Sequence, residues 1–177
     1  MKSYLRVGII AFLCIISYKG LVLKSVAVDS AWAQVQTQYQ RRVDLISNLV
    51  STVKAEANFE KSTLTDVINA RDSVSKINVD PNIINDTNKF SQFQQAQRQL
   101  SQALGKLIMV SEKYPELKTN QQFSQLMDSL KETESRIVYS RDNYNQTVRS
   151  YNSYVISFPT VIIAKSFGYN KLYEIYV

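Results

Sequence analysis

The chain lacks histidine and has little cysteine, glycine or proline: one cysteine, four glycines and three prolines in 177 residues. Without histidine, a Ser-His-Asp triad is excluded and the commonest metal ligand is missing. The single cysteine, Cys14, can form neither a disulfide within the chain nor a thiolate metal cluster. So few glycines and prolines disfavour an all-β fold, which needs many tight turns. We therefore expect an α-helical protein with no enzyme activity, no catalytic residues, no cofactor and no metal.

Positive charge is concentrated near the N-terminus. The net charge is +6, and residues 1–24 contribute four basic residues and no acidic one. The rest of the chain has 17 basic and 15 acidic residues, so it is almost neutral. A nucleic-acid-binding protein carries its positive charge on the folded domain, whereas basic residues beside an apolar segment are typical of contact with phospholipid head groups. We expect membrane lipid as a partner through residues 1–24, and no nucleic acid.

An apolar run occupies residues 7–18 (VGIIAFLCIISY) and is interrupted only by Ser17. Lys19 follows, and a second short apolar stretch ends at Leu23. A membrane-spanning helix needs about 20 apolar residues, so the run is short by itself. A helix over Met1–Leu23 nevertheless covers a thin bilayer if the Lys19 amine reaches the water interface. The sequence therefore predicts a single-pass N-terminal membrane anchor.

Two other interpretations of residues 1–24 stay open. One is a cleaved signal peptide that ends at the small residues Ser25-Val26-Ala27. The other is a peripheral hydrophobic tail. Lys19 and Lys24 make the cleavage site a poor one, so the retained anchor is preferred. Basic residues lie on both sides of the apolar run, and its orientation in a membrane is therefore unassigned.

Three later stretches carry apolar side chains at alternating steps of four and three, a spacing typical of helices in a bundle or coiled coil. The first helix is predicted to run from a cap at Asp29 or Ser30 to about Ser75. The second apolar stripe covers residues 93–108. The third, which is the most regular, lies within residues 118–158.

Short links at residues 76–86 and 113–117 make neighbouring helices antiparallel. The fold predicted for residues 25–177 is all-α: an antiparallel bundle of three long helices plus a short C-terminal helix within Thr160–Phe167, preceded by the N-terminal membrane helix. The second helix is shorter than the first. Residues 25–40 are therefore expected to extend beyond the bundle as a stalk.

Charged residues occupy four positions of these apolar stripes: Glu60, Arg71, Glu134 and Arg141. We predict structural ion pairs between helices, joining Arg71 or Arg141 to Glu60 or Glu134, because a buried charge needs a partner. The alternatives are side chains that stay in water, or a site for a metal or anion. The Glu-x-x-His motif of di-iron bundles is absent.

Two further features concern Arg41-Arg42 and the tyrosines. The double arginine is a candidate contact for lipid head groups, for a partner, or for the turn at residues 113–117. Tyr-Asn pairs recur seven residues apart, at 144–145 and 151–152, and these tyrosines are expected in the core and its rim. The aromatic C-terminal tail is expected to fold back on the end of the bundle, with an exposed partner-binding patch as the alternative.

Eleven short segments, in order along the chain, resemble the LemA family. They are Ala31-Trp32, Gln40–Val50, Thr52–Lys54, Ala70-Arg71, Leu100–Leu107, Tyr114–Lys118, Thr133–Ile137, Ser140-Arg141, Tyr144-Asn145, Tyr151-Asn152 and Phe158-Pro159. The resemblance implies an N-terminal transmembrane helix, an antiparallel helical bundle, no enzyme activity and no known catalytic residues.

The chain departs from the family pattern at two places in the first helix. Ser47 stands where the family usually has Pro, and Ala55-Glu56 stands where it usually has Gly-Tyr. Both changes remove helix breakers, so a straighter first helix is expected. The N-terminal apolar run is also shorter than is usual in the family.

These observations favour a membrane-tethered scaffold or adaptor that presents a rigid bundle to other membrane-associated proteins. The alternative is a sensor of a small ligand or anion that uses the buried Glu and Arg residues of the bundle. A third hypothesis is self-assembly through the long third stripe.

Overall fold

The computed structural model describes residues 2–55, 59–77, 81–169 and 172–176, and in these ranges all regular structure is helical. This confirms the predicted all-α class and the short C-terminal helix. The elements are α1 (Lys2–Lys54), α2 (Lys61–Lys76), a 3-10 turn (Pro81–Asn85), α3 (Thr87–Ser111), α4 (Pro115–Thr119), α5 (Gln121–Ile156) and α6 (Thr160–Ser166).

The two ends of the first helix differ from the prediction. Asp29 and Ser30 do not cap it, because α1 continues from the N-terminal apolar run without a break. At the other end α1 stops at Lys54 instead of Ser75, although Ala55 replaces the glycine usual in the family. Phe59 explains the break. Its ring is buried and lies 5.0 Å from the ring of Tyr114, so burial of this side chain outweighs the helical preference of the local sequence.

The chain divides into two compact units. One consists of Met1–Gln34 with Arg141–Tyr176 and is called the terminal unit below, and the other, Val35–Ser140, is called the central unit. The predicted boundary at residue 24 separates lipid from water and stays a prediction, since contacts within the protein do not divide the chain at that point.

One apolar core holds the central unit together, with contributions from α1, α2, α3, α4 and α5. Its most deeply buried members are Ile46, Leu49, Val53, Val67, Leu100 and Leu107. Helix α3 begins at Asp86, whose carboxylate accepts hydrogen bonds from the backbone N–H groups of Asn88 and Lys89. Such a cap stabilises a helix by about 1 kcal/mol, and it fixes the start of α3 at the end of the loop predicted at residues 76–86.

The predicted stalk is wrong. In the terminal unit Val28 and Trp32 are buried, and the indole of Trp32 lies 5.4 Å from the Tyr144 ring of α5. In the central unit Val35 and Tyr39 are buried as well. The stalk was inferred from the length of the second helix alone. The partners that cover this part of α1 come from α5, which supplies Tyr144 against Trp32, and from α3, which supplies Phe93 at 5.3 Å from the Tyr39 ring.

Gly20 allows α1 and α5 to approach closely in the terminal unit. A Cβ atom at this position would lie 2.2 Å from the Tyr154 hydroxyl oxygen, which is far inside contact distance. The Tyr154 hydroxyl is 3.5 Å from the Ser17 carbonyl oxygen, to which it donates a long hydrogen bond. Leu21, one residue after the glycine, is fully buried. The interruption of the apolar run at residue 20 is therefore the place where a tyrosine packs on the helix.

The C-terminal tail lies along α5 and is held by two asparagine side chains. The Asn152 amide donates to the Tyr173 carbonyl at 3.0 Å and accepts from the Tyr173 N–H at 3.1 Å. Asn145 makes the same two bonds with Tyr176, at 2.9 and 2.7 Å. Seven helical residues rise about 10.5 Å, and three extended residues cover about 10 Å. The two spacings match, so each asparagine can bond one residue of the tail. Its side-chain amide makes the two backbone hydrogen bonds that a neighbouring β-strand would otherwise make.

Two tyrosines of α5 make further contacts with the tail. The Tyr144 hydroxyl donates to the Glu174 carbonyl at 3.0 Å, and the rings of Tyr151 and Tyr173 lie 4.9 Å apart. The tail therefore folds back, as expected, but along the side of α5. The tyrosines at 144 and 151 are core residues, as predicted. The role of the adjacent asparagines was not anticipated.

We predict that each asparagine protects one backbone amide. Asn152→Ala should speed hydrogen exchange at the Tyr173 amide by about tenfold or more, because two hydrogen bonds worth about 1 kcal/mol each are lost. Asn145→Ala should do the same at Tyr176. Hydrogen exchange of the full chain measures both rates, and Gln146→Ala, on the exposed face of α5, is the control. Equal loss at both amides in either variant would contradict the one-to-one pairing.

Three buried or half-buried tyrosines of the terminal unit have a raised pKa. Burial raises the pKa of Tyr151 to about 12, and it also raises the pKa values of Tyr144 and Tyr173. A raised value means that the folded state favours the neutral phenol. This contribution to stability is complete below the unfolded pKa of about 10 and is lost as the pH rises from about 10 towards 12.

The alkaline stability of the protein tests this linkage. Between pH 10 and 12 the free energy of unfolding should fall by up to about 1.4 kcal/mol per pH unit because of the raised pKa of Tyr151. Denaturant titrations followed by the fluorescence of Trp32, the one tryptophan, measure the slope. Tyr151→Phe should have a shallower slope than the parent chain. An unchanged slope in that variant would show that Tyr151 does not titrate as described.

Candidate functional site

The strongest concentration of buried polar groups in the central unit surrounds Arg42. This arginine is 2% exposed. Its Nη2 donates to Ser101 Oγ at 2.7 Å, and its Nη1 donates to Gln97 Oε1 at 3.4 Å. Its Nε is 2.8 Å from Glu134 Oε1. The Nε–H direction misses the carboxylate oxygen, so this contact is an ion pair without a well-aligned hydrogen bond. One guanidinium thus joins α1, α3 and α5.

The geometry of the three partners follows from their helices. Gln97 and Ser101 are four residues apart on α3, so they lie on one face, and the Ser101 hydroxyl also donates to the Gln97 carbonyl. Gln97 is buried, whereas the Glu134 side chain is 45% exposed. The carboxylate therefore keeps part of its hydration while it neutralises the cation, which lowers the cost of burying the pair.

An apolar groove of about 180 Å³ lies beside this ion pair. Arg42 and Glu134 form its polar side, and Lys131 stands at its edge. The remaining lining is Ser101, Leu104, Gly105, Ile108, Met127 and Leu130. An anion could reach Arg42 here only by displacing Glu134, because the guanidinium already has three partners. The arrangement therefore suits a structural role better than ligand binding.

The predicted ion pairs need correction. Glu134 is paired with Arg42, which was expected to contact lipid head groups, a partner or the turn at residues 113–117. Arg71 contacts Asp72, its neighbour on α2, at 3.1 Å. Glu60 is exposed and accepts a hydrogen bond from Ser62 at 2.6 Å, and this bond is the main cause of its lowered pKa.

Arg141 and Arg41, the remaining arginines singled out from the sequence, both contact other side chains or lie near them. In the terminal unit Arg141 lies over the Tyr176 ring, 4.0 Å from its centroid, which is a cation–π contact. In the central unit Arg41 is exposed and close enough to Glu132 to help lower the pKa of that carboxyl, after the larger effect of Arg136. Arg41 alone of the double arginine is thus available for an outside contact.

The burial of Arg42 was visible in the apolar spacing. Tyr39, Arg42, Ile46, Leu49 and Val53 follow steps of three and four, and all five are buried. The neighbouring Val43 is buried as well, and a valine fits an apolar position without needing a partner, whereas an arginine does not. Among the described residues no group of three or more Asp, Glu, Cys or His side chains could hold a metal ion.

We predict that Glu134→Gln lowers the free energy of unfolding by about 1–3 kcal/mol, because Arg42 loses its counter-charge but keeps Gln97 and Ser101. Arg42→Met combined with Gln97→Leu and Glu134→Leu should recover much of that loss, since apolar replacements need no pairing. Denaturant unfolding followed by circular dichroism measures the changes.

Glu132→Gln is the matched control for this prediction. Glu132 is an exposed glutamate on the same helix, bonded to Arg136 at 2.7 Å, and exposed pairs of this kind contribute about 0.5 kcal/mol or less. Equal effects of Glu134→Gln and Glu132→Gln would contradict the importance assigned to the Arg42 pair.

Comparison with known proteins identifies relatives of this chain. Protein LemA of Metamycoplasma hominis is 26% identical over 161 residues, which are 91% of this chain and 69% of the relative. Magnetosome protein MamQ 2 of Paramagnetospirillum magneticum is 33% identical over 69 residues, 39% of this chain and 25% of the relative. Magnetosome protein MamQ of Magnetospirillum gryphiswaldense is 29% identical over 70 residues, 40% of this chain and 26% of the relative. Residues 31–176 match the profile of the LemA family, and the chain therefore belongs to the LemA family.

Proposed function

We propose that this protein is a membrane-anchored scaffold or adaptor that holds a helical domain beside a membrane and has no catalytic activity. The observation that carries the proposal is the exposed apolar surface of α1 before Ser17. Ile9, Phe12, Leu13, Ile15 and Ile16 are each between 47% and 63% exposed. The most apolar window of α1 has a mean hydropathy of 1.7, and only 17% of it is buried by the protein. Such a surface is unfavourable in water and suits a bilayer.

The contents of the central unit support a role without chemistry. Its concentrated polar groups contact one another around Arg42, and interactions of this kind between helices help to fix which helix faces meet. A scaffold needs such a defined surface, whereas an enzyme needs a reactive group in a cleft. The groove beside Arg42 does not favour the anion-sensor alternative, because Glu134 already occupies the anion's place.

Membrane fractionation followed by crosslinking tests the proposal on the full chain. The protein should stay with membranes after a carbonate wash. Phe12→Asp combined with Ile16→Asp should release it, because each charge inside a bilayer costs about 2.5–3.5 kcal/mol. Met109→Asp with Tyr139→Asp, at two exposed apolar positions of the central unit, is the matched control and should stay bound.

Crosslinking in the same membranes addresses the scaffold role. Covalent adducts with other membrane-associated proteins should form in the parent chain and in the Met109, Tyr139 control. Recovery of the free chain alone, under several crosslinkers, would contradict the scaffold role. Release of the parent chain by carbonate would contradict the anchor.

A further inference from the structure

The tip of the terminal unit consists of residues 156–169, which include α6 and the aromatic residues on either side of it. This tip packs against α1 at the end of the apolar run. The Tyr18 ring lies 4.9 Å from the Phe167 ring and 6.2 Å from the Tyr169 ring. Together with the contact of Tyr154 on Ser17, these distances place the tip at the level of residues 17–21 of α1.

The surface of the tip is strongly apolar. Phe158 is 81% exposed, Ile156 65%, Phe167 61% and Ile162 59%. Single exposed apolar residues are common on proteins, but a group of large ones beside an exposed apolar helix marks a contact surface. This surface continues onto α1 through Tyr18, which is itself 39% exposed.

The length of α1 decides what covers this surface. The apolar run begins at Val7, after Arg6, and its part before the tip, which ends at Ser17, is about 17 Å long, whereas the hydrocarbon layer of a bilayer is about 30 Å thick. A spanning anchor must therefore include residues up to about Leu23, which extends the apolar part to about 26 Å, enough for a thin bilayer. Residues 17–21 then lie within one leaflet, and the tip, which packs on them, lies at the same depth.

Charge around the tip agrees with a lipid surface. No acidic residue precedes Asp29, and none lies between Asp142 and Glu174. Lys19 and Lys165 are exposed beside the apolar surface, where long amine side chains can reach phosphate groups from a shallow depth. A protein partner of mixed charge would not require this absence of acidic residues.

We infer that the tip is a second membrane-contacting element, in which α6 and its flanking aromatic residues enter the outer part of one leaflet beside the anchor helix. The inference rests on the proposed membrane anchor and adds to it a position in the bilayer. Insertion of the tip compensates for an apolar run that is short by itself and holds the helical domain directly on the lipid surface.

Fluorescent labels at single cysteines test this inference in the full chain. The native Cys14, exposed within the anchor, reports on the anchor. In a Cys14→Ser background, Ile162→Cys and Phe158→Cys report on the tip, and Met109→Cys on α3 is the exposed apolar control. Each labelled chain is reconstituted into vesicles of phosphatidylcholine and phosphatidylglycerol, with nitroxide groups carried at a shallow acyl position of the lipid in one set of vesicles and at a deep acyl position in another, since Cys14 lies near the middle of the bilayer.

Insertion of the tip predicts a blue shift and marked loss of fluorescence at positions 162 and 158, and no change at 109. Quenching at Cys14 with unquenched, water-exposed labels at 158 and 162 would overturn the inference and leave the anchor intact. A blue shift at 162 without quenching would also overturn it, since another protein chain would then cover the tip. Lack of quenching at Cys14 would contradict the anchor itself.

Discussion

The burial of the Arg42 guanidinium is the constraint on which the central unit depends. An ionised group that leaves water loses several kcal/mol of solvation, so its partners must be supplied by the same fold. Here they come from two other helices: Gln97 and Ser101 from α3, and Glu134 from α5. A helix can rotate slightly and still bury its apolar stripe, but the same rotation would break the contacts of Arg42 with its partners. The arginine therefore selects one arrangement of three helices among several that would bury similar apolar area.

The terminal unit is held by contacts of another kind. Gly20 removes a side chain so that Tyr154 can lie on α1, and two asparagines bind the backbone of the tail. The two asparagines can both bind the tail because seven residues of a helix and three residues of an extended chain cover nearly the same distance. Neither of these two sets of contacts requires a ligand. These contacts therefore hold α5 and the tail in place close to the apolar surface of α1.

That proximity links the fold to the proposed role. A membrane helix joined to a remote domain would leave the domain free to move, whereas here the covered part of α1 begins at Ser17, inside the apolar run. If the anchor spans a bilayer, part of the folded unit must share its depth, and the exposed aromatic residues of the tip meet that demand. A scaffold held in this way presents a restricted set of surfaces to its neighbours.

Several features were predictable because they depend on local sequence alone. The helical class followed from apolar spacing and from the scarcity of glycine and proline. The stop before α6 followed from Phe158-Pro159, and the exposed apolar part of α1 followed from the run at residues 7–18. Family membership followed from eleven ordered segments. Of the four residues singled out for charge, Arg71, Glu134 and Arg141 lie on helices as predicted, whereas Glu60 lies in the link just before α2. The partners of these residues were not predictable from spacing.

The tertiary structure decided the remaining features, and the reason is physical in each case. Burial of Phe59 against Tyr114 ended α1 at Lys54, although the local residues favour a continued helix. Arg42 was taken for a surface residue because its partners Gln97, Ser101 and Glu134 are far away in the sequence. Only the packing of the helices brings these partners to the guanidinium and so offsets its loss of solvation. Local residue preferences were enough to assign the helical class and the apolar run, because both depend on neighbours along the chain. The pairing of helix faces decided which charges are buried, where the tail binds, and how much of the apolar run is left uncovered.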